Sequence, residues 1–317
     1  PMYMITQGLG PKWKPMAIFF SIFGLIGTLS LMQANQVTEA LIATFIVPNG
    51  IESSFGLKLG IGIFICLLVS VVVLGGIQRI SKVSAKLVPS MVGFYFVLVG
   101  YIIVTNLSVV PDVFYSIFSQ AFEFKAGLGG LAGSAIVIGA RRAAFVNEAG
   151  VGTASMMHGA SKNTEPVREG LVAMIGPSID SGLVCTLTAL AILINGQYEV
   201  SQIQGIQMAI NSFETSIPGL GSYLLMMMAI IFAFSTMFSY SYYGVKCTNF
   251  LFGAKYAHYY NYFFLIMLVV GAVISLDVVV GVIDSAYALM AIPTMITLIL
   301  LAPKVKREMK KYFANNK

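Results

Sequence analysis

The chain has 317 residues, of which 57% are hydrophobic and only 10% are charged, and its mean hydropathy is +0.85. This composition excludes an ordinary soluble protein and indicates a polytopic membrane protein. The net charge of +6 does not indicate nucleic-acid binding, because the basic residues lie in short connections and in a C-terminal tail. The three cysteines lack the spacing of metal ligands, which argues against a zinc site or a disulfide framework.

Eight apolar segments follow one another along the chain, and most have the ~20 residues that a bilayer requires. In chain order they are A (16–47), B (59–77), C (87–110), D (111–145), E (171–194), F (223–245), G (260–280) and H (281–301). Segment A is longer than one span and must tilt or protrude. We therefore predict an all-α membrane protein with about eight segments in one domain over residues 1–317.

The connections between these segments alternate in charge. Basic residues precede A and lie between B and C, around the connection of D and E, and after F and H, whereas the other connections have one or none. Because basic connections stay in the cytoplasm, A enters from that side and the basic tail 303–317 is cytoplasmic. No signal peptide is recognisable, and Pro1 begins within a loop-like stretch, so we expect further segments before it.

Segment D is interrupted by glycines. Gly127, Gly129, Gly130 and Gly133 separate two stretches that each have helical periodicity. Interior glycine weakens a helix, but in a membrane the freed backbone groups can line a polar cavity. Discontinuous helices of this kind form the central sites of secondary transporters. We therefore interpret the break as half of a solute-binding site.

Segment A carries polar residues on one face. Asn35, Gln36 and Glu39 fall within roughly a 100° arc, with Gln33 at its edge. Because such side chains are costly against lipid, they either hydrogen-bond to neighbouring helices or contact a solute. For Gln33 the two interpretations are evenly balanced, and for Gln36 we favour packing.

Polar residues also lie within segments E and F. Asp180, about midway along E, is a functional candidate by default, although neutralisation by Arg142 or Arg168 is the role we favour. Ser235 and Thr236 of segment F offer hydroxyl oxygens to a monovalent cation. The residues alone favour the alternative, in which both hydroxyls bond to carbonyl groups of their own helix.

Segment D is followed by Asn147 and Glu148, next to Gly150 and Gly152. These residues form either a gate or elbow at the cytoplasmic end of the broken helix, or simply a capped loop. The polar residues that we predict to gate or support the site are Asn35, Asn147, Glu148 and Asp180.

Together these residues resemble the sodium:alanine (alanine or glycine:cation) symporter family. The motifs that carry the resemblance include Gln33-Ala34-Asn35, Asn147-Glu148-Ala149-Gly150, Ile179-Asp180 and Phe232-Ala233-Phe234-Ser235-Thr236. The resemblance implies a LeuT-type core of inverted repeats, with A to H as core helices three to ten and the first two missing. It also implies sodium-coupled symport of a small neutral amino acid, alanine or glycine, by alternating access across the cell membrane.

The resemblance assigns roles to individual residues. The implied substrate contacts are Gln33, Gly129, Gly130, Leu131, Gly133, Thr236 and Tyr240. Sodium, the coupling ion, is implied to bind at Ser235 and Thr236, which reverses the preference drawn from the residues alone. Leu131 and Tyr240 stand where the family pattern has Phe and Trp, and because both touch the implied pocket wall, the resemblance leaves the preferred substrate size open.

Other classes of function are less favoured. An ion or solute channel would need a repeated pore-lining motif, and no filter-like repeat occurs. An intramembrane enzyme would need a nucleophile with its base or a set of metal ligands, and neither His158 nor His258 has a partner at a recognisable spacing. The expected partners are a small neutral amino acid, sodium and the lipid bilayer, with no nucleic acid, no cofactor and no metal beyond sodium.

Overall fold

The computed structural model describes residues 1–121, 139, 142–143, 146, 148–196 and 205–315. Within this part of the chain the regular structure is helical, without strands. Seven helical stretches there are long and apolar enough to cross a membrane, and they correspond to segments A, B, C, E, F, G and H. The predicted all-α, multi-pass membrane architecture is therefore confirmed, while most of segment D lies outside the described residues.

We number the described α-helices in chain order. They are α1 (Met2–Gly8), α2 (Lys14–Gly27), α3 (Leu31–Leu41), α4 (Phe55–Val73), α5 (Gly76–Thr105), α6 (Val110–Ala121), α7 (Ala154–His158), α8 (Pro166–Pro177), α9 (Cys185–Leu193), α10 (Ile206–Ser216), α11 (Gly221–Phe252), α12 (Ala254–Ala257), α13 (Tyr259–Val273) and α14 (Leu276–Asn315).

Segment A is not one unbroken α-helix, because residues 28–30 separate α2 from α3, and its predicted tilt or protrusion stays a prediction. Between α2 and α3, Ser30 has a left-handed backbone with φ of 47°. This conformation is uncommon for a residue with a Cβ atom and costs on the order of 1 kcal/mol. Tyr260 of α13 donates a hydrogen bond to the Leu25 carbonyl at 2.8 Å, which holds the end of α2 in place. The chain therefore changes direction inside a continuous apolar stretch.

The boundary between G and H lies earlier than predicted. Helix α13 ends before Ile274, whose backbone is extended, so residues 276–280 belong to α14 rather than to segment G. The Asn35 side-chain amide donates to the carbonyl groups of Ile274 at 2.8 Å and Gly271 at 3.3 Å. Asn35 thus has a structural role, because it satisfies backbone groups that the break would otherwise leave unpaired.

Two predicted connections are helical. Only residues 74 and 75 separate α4 from α5, which runs through Pro89, so the basic residues assigned to the B–C loop lie on the first turns of α5. Helix α14 runs through Pro293 and Pro303 and includes most of the basic tail. Membrane helices tolerate such prolines where neighbouring groups satisfy the freed carbonyls.

The region of segments E and F contains two features that the hydropathy pattern did not predict. Segment E is a continuous helical stretch in which a π-helical turn, Ser178–Val184, joins α8 to α9 and carries Asp180. Such π turns occur frequently at functional sites. Helix α10 precedes segment F and is anchored by Asn195, whose amide donates to the Ser212 carbonyl at 3.0 Å and the Ser216 hydroxyl at 2.7 Å.

Small residues bring the central helices into close contact. A Cβ atom added to Gly244 of α11 would lie 1.9 Å from the ring of Tyr260 in α13. A Cβ added to Gly271 of α13 would lie 2.8 Å from the Leu31 carbonyl oxygen at the start of α3. Close approach through small residues is a common way to pack membrane helices. The packing fixes α3, α11 and α13 relative to one another and so positions the residues described next.

Candidate functional site

A cavity of about 340 Å³ brings together predicted site residues that are distant in the sequence. We call it the central cavity; its lining includes Ser30, Gln33, Arg142, Glu148, Thr236, Tyr240, Asp284 and Tyr287. These residues come from α3, α11, α14, the bend before α3 and the stretch before α7. The volume falls within the range of small-molecule sites, and polar groups converge on it from several elements.

Gln33 and Thr236 line the central cavity and also an adjoining one of about 260 Å³. Gln33 is half-buried, and its amide has no hydrogen bond to any residue that the structure describes, so it is available to donate and accept at once. Gln36 is different, because its amide donates to Asn35 at 3.0 Å and accepts from the Ile206 backbone at 3.2 Å. These contacts agree with the packing role favoured for Gln36.

The hydroxyl groups of Ser235 and Thr236 both donate to the Phe232 carbonyl, at 2.8 Å and 3.1 Å. This is the arrangement that the residue pattern alone favoured. Thr236 faces the central cavity, whereas Ser235 is buried with its oxygen 3.9 Å from the Met91 sulfur. The lone pairs of a back-bonded hydroxyl can still accept a cation, so sodium binding here stays a prediction.

Glu148 lies at the cavity wall within a cluster of hydroxyl groups. Its carboxyl group faces the side-chain hydroxyls of Thr153, Tyr240 and Tyr243, and the Tyr287 hydroxyl donates to Tyr240 at 3.0 Å. The Glu148 backbone has φ of 59°, in the left-handed region that residues with a Cβ seldom adopt. The cluster links the stretch before α7 to α11 and α14.

The turn from Glu148 to Gly152 packs tightly against α14. The Gly152 amide donates to the Glu148 carbonyl at 2.8 Å, and the Thr294 hydroxyl donates to the Val151 carbonyl at 2.9 Å. Gly152 has φ of +98°, and a Cβ atom there would lie 2.5 Å from the Thr294 hydroxyl. A capped loop would have the same contacts, so the elbow and gating roles of the motif both stay predictions.

Arg142 and Asp284 form an ion pair at 3.1 Å in the cavity wall, and Asp284 is only 7% exposed. Arg142 is therefore not the partner suggested for Asp180, and the described residues contain no ion pair between Asp180 and Arg168. Asp284 was not among the site residues predicted from the sequence. It could have been predicted, because an ionisable side chain inside an apolar span is a functional candidate, and Asp284 lies inside segment H as Asp180 lies inside segment E.

The other predicted site residues are dispersed. Gly129, Gly130, Leu131, Gly133 and Asn147 lie outside the described residues. Asp180 is half-buried on its π turn and does not line the central cavity, although its charge acts on Glu148. Asn35 is buried against the end of α13.

His158 pairs with Glu169, a contact that the spacing of the two residues in the sequence does not indicate. Its Nδ1 atom lies 2.7 Å from a carboxylate oxygen of Glu169, and the Ser161 hydroxyl donates to the other oxygen at 2.9 Å. The pair joins the end of α7 to α8 and lies away from the central cavity. In the part of the chain that the structure describes, no three His, Cys, Asp or Glu residues are grouped as metal ligands.

A larger cavity of about 650 Å³, which we call the peripheral cavity, lies between α1, α8 and the end of α14. Its lining is mainly apolar, with Gln7, Lys304 and Glu308 as polar members, and includes none of the predicted site residues. Because polar groups do not converge on it from several helices, we take the central cavity as the candidate site.

Residues 1–317 match the sodium:alanine symporter family. The chain is 34% identical to YflA, an uncharacterized transporter of Bacillus subtilis, over 99% of the chain and 66% of that protein. It is also 34% identical to the sodium/alanine symporter AgcS of Methanococcus maripaludis, over 98% of the chain and 68% of AgcS. A third relative, the sodium/proton-dependent alanine carrier protein of Bacillus sp. strain PS3, is 34% identical over 76% of the chain and 54% of its own length.

The chain spans about half to two thirds of the length of these relatives. The family and these relatives are transporters, which confirms the predictions of a transporter rather than an enzyme and of the family itself. The chain belongs to the sodium:alanine symporter family.

Proposed function

We propose that this protein carries a small neutral amino acid, alanine or glycine, together with sodium across the cell membrane by alternating access. The observation that supports this most is the convergence of Gln33, Thr236 and Tyr240 on one cavity from segments that are far apart in the chain. Membership of the sodium:alanine symporter family gives the transported class. The proposal includes a LeuT-type core of inverted repeats, with the C-terminus in the cytoplasm and alternation around the central cavity.

The polar groups of the central cavity suit a zwitterion. The Gln33 amide can donate to a carboxylate and accept from an ammonium group, and the Thr236 hydroxyl, which donates its hydrogen to the Phe232 carbonyl, can accept from an ammonium group. In our proposal the glycine break around Gly129 and Gly130 completes the pocket. The helix ends at that break would face the substrate carboxylate with their positive dipole ends.

Sodium is the coupling ion in this proposal, with Ser235 and Thr236 as ligands. A cation that binds only the substrate-binding conformation raises the affinity for substrate, and the substrate raises the affinity for the cation by the same factor. The relative named as a sodium/alanine symporter supports this choice. The strain PS3 relative is named as a sodium/proton-dependent carrier, so experiments must distinguish coupling to sodium from coupling to protons.

The test is uptake of radiolabelled alanine by proteoliposomes that contain the intact protein. We expect uptake to saturate with alanine and to accelerate when an inward sodium gradient replaces a potassium gradient of equal size. Equal uptake under the two gradients would remove the symport claim. Flux that does not saturate would favour a channel instead.

A further inference from the structure

Glu148 places a carboxylate in the wall of the central cavity without a basic partner. In the described part of the chain, no Lys, Arg or His side chain lies within ion-pair distance of it. Arg142, which lines the same cavity, is engaged with Asp284 at 3.1 Å. An ionised carboxylate in the interior of a membrane protein is costly unless a charge compensates it.

The groups that surround Glu148 can accommodate either protonation state. An ionised carboxylate can accept hydrogen bonds from the hydroxyls of Thr153, Tyr240 and Tyr243, which face it. A protonated carboxyl also donates one bond, and a hydroxyl that rotates can accept it. Because the partners are neutral and rotatable, binding of one proton requires no new residue and leaves no buried charge unpaired.

The backbone holds this carboxyl against α11 at some cost. Glu148 persists at φ of 59° because the Gly152 amide and the Thr294 hydroxyl fix the turn from both sides. Residues kept in such sparsely populated conformations cluster at functional switches. The turn also joins the stretch after segment D to α14. Because α14 contributes residues to the wall of the central cavity, a change in the contacts of Glu148 would alter that wall.

We propose that Glu148 is a proton-binding site of the transport cycle. Its carboxylate takes one proton from water in the central cavity and returns that proton to water when the turn separates from Tyr240 and Tyr243. The same oxygen gains and loses the proton, so the step needs no other reactant. This inference rests on the proposed function and deepens it, because it names the residue through which pH acts on transport.

Other titratable groups near Glu148 serve this role less well. The groups that face it are Tyr240 and Tyr243 of α11, Asp284 and Tyr287 of α14, Asp180 of the π turn, and Arg142. Tyrosine and arginine ordinarily titrate far above neutral pH. Asp284 has an arginine partner, and Asp180 does not line the central cavity. Glu148 alone in this group is both a carboxyl at the cavity and without a basic partner among the described residues.

The experiment measures protons exchanged when alanine binds to the purified intact protein in weakly buffered, sodium-containing solution with a pH indicator. The variants are Glu148→Gln and, as the control, Glu214→Gln. Glu214 is also a hydrogen-bonded carboxylate, since the Ser222 and Gly219 amides donate to it and lower its pKa, but it lies outside the spans. Alanine counterflow with equal sodium on both sides is measured in parallel at several pH values.

We expect the unmodified protein and Glu214→Gln to exchange close to one proton per alanine bound at the pH of strongest coupling. Glu148→Gln should exchange none, and its counterflow should lose its pH dependence while keeping its sodium dependence. If Glu148→Gln does not fold, Tyr243→Phe provides the test: loss of one donor should move the pH midpoint of counterflow upward.

A proton signal that survives in Glu148→Gln would overturn the inference, as would an unmoved midpoint in Tyr243→Phe. Loss of sodium dependence with an intact proton signal would make Glu148 a sodium ligand instead and would equally overturn it. Counterflow in the unmodified protein without any proton exchange would overturn this inference and leave the proposed function standing. Absence of alanine binding and counterflow at every pH would remove the proposed function itself.

Discussion

The central and peripheral cavities differ in a way that size does not predict. The peripheral cavity is the larger, at about 650 Å³ against about 340 Å³, yet its walls are mainly apolar and its polar members, Gln7, Lys304 and Glu308, lie on α1 and the end of α14. The central cavity collects amide, hydroxyl and carboxylate groups from residues as far apart in the sequence as Ser30 and Tyr287. Recognition of a polar solute depends on this convergence rather than on volume.

Each cavity contains one glutamine in its lining, and this gives a matched pair. We expect Gln33→Leu to lower alanine uptake at subsaturating concentration by at least about 10-fold, because a solute group that loses its only partner costs ~1–3 kcal/mol. Gln7→Leu in the peripheral cavity should leave uptake unchanged. The measurement is the initial rate of uptake, normalised to the amount of reconstituted protein. Equal effects of the two substitutions would show that the central cavity is no more important for uptake than the peripheral cavity.

Thr236→Ala sharpens the comparison by separating cation binding from helix stability. We expect the sodium concentration for half-maximal uptake to rise about 10-fold, the cost of a lost ligand of ~1.4 kcal/mol, with a smaller change in protein level. Thr186→Ala is the control, since the Thr186 hydroxyl also bonds to its own helix, to Gly182 at 2.7 Å, but is exposed. Unchanged sodium activation in Thr236→Ala would contradict the assignment.

Tyr240→Phe should have a smaller effect. It removes the hydroxyl that faces Glu148 and accepts from Tyr287, a hydrogen bond that contributes ~0.5–1.5 kcal/mol in net terms. We expect KM for alanine to rise about 3- to 10-fold. Tyr256→Phe, at an exposed tyrosine, should not change KM. A KM that is unaltered by Tyr240→Phe would show that this hydroxyl does not contribute to the site.

The smallest effect is expected where the peripheral cavity is filled. A Cβ atom added to Gly170 meets no atom within 4 Å, so Gly170→Leu should insert and transport at rates within about twofold of the unmodified protein. In the central cavity, a Cβ added to Gly27 would lie 2.8 Å from the Met290 sulfur and 3.1 Å from the Tyr287 ring. Gly27→Leu should therefore impair uptake, and the reverse order of the two effects would place the site in the peripheral cavity.

The sequence predicted those features that depend on local composition. Continuous hydropathy identified the spans, and polar residues within them identified Gln33 and Thr236. The bend at Ser30 was missed because Gly27, Thr28 and Ser30 are small residues that membrane helices also contain, so they did not divide the apolar stretch. Helix α10 was missed because its segment is too short and polar to resemble a span.

Contacts between distant residues could not be predicted in the same way. The Arg142–Asp284 ion pair joins residues 142 positions apart, and nothing in the spacing of either residue reveals the other. The hydroxyl cluster around Glu148 depends on a left-handed backbone that only the surrounding packing stabilises. The family resemblance implied Tyr240 as a pocket residue, but its hydrogen bond with Tyr287 and its position beside Glu148 could be found only from the fold.

Protection of an introduced thiol tests most directly whether the central cavity holds the amino acid. Gln33→Cys and Gln7→Cys are made separately in a Cys66→Ser, Cys185→Ser background that keeps the buried Cys247. The rate of modification by a polar thiol reagent is then measured with and without alanine and sodium. We predict that alanine with sodium slows the reaction at position 33 and leaves position 7 unaffected. Protection at position 7 alone, or equal rates at position 33 under both conditions, would contradict the account.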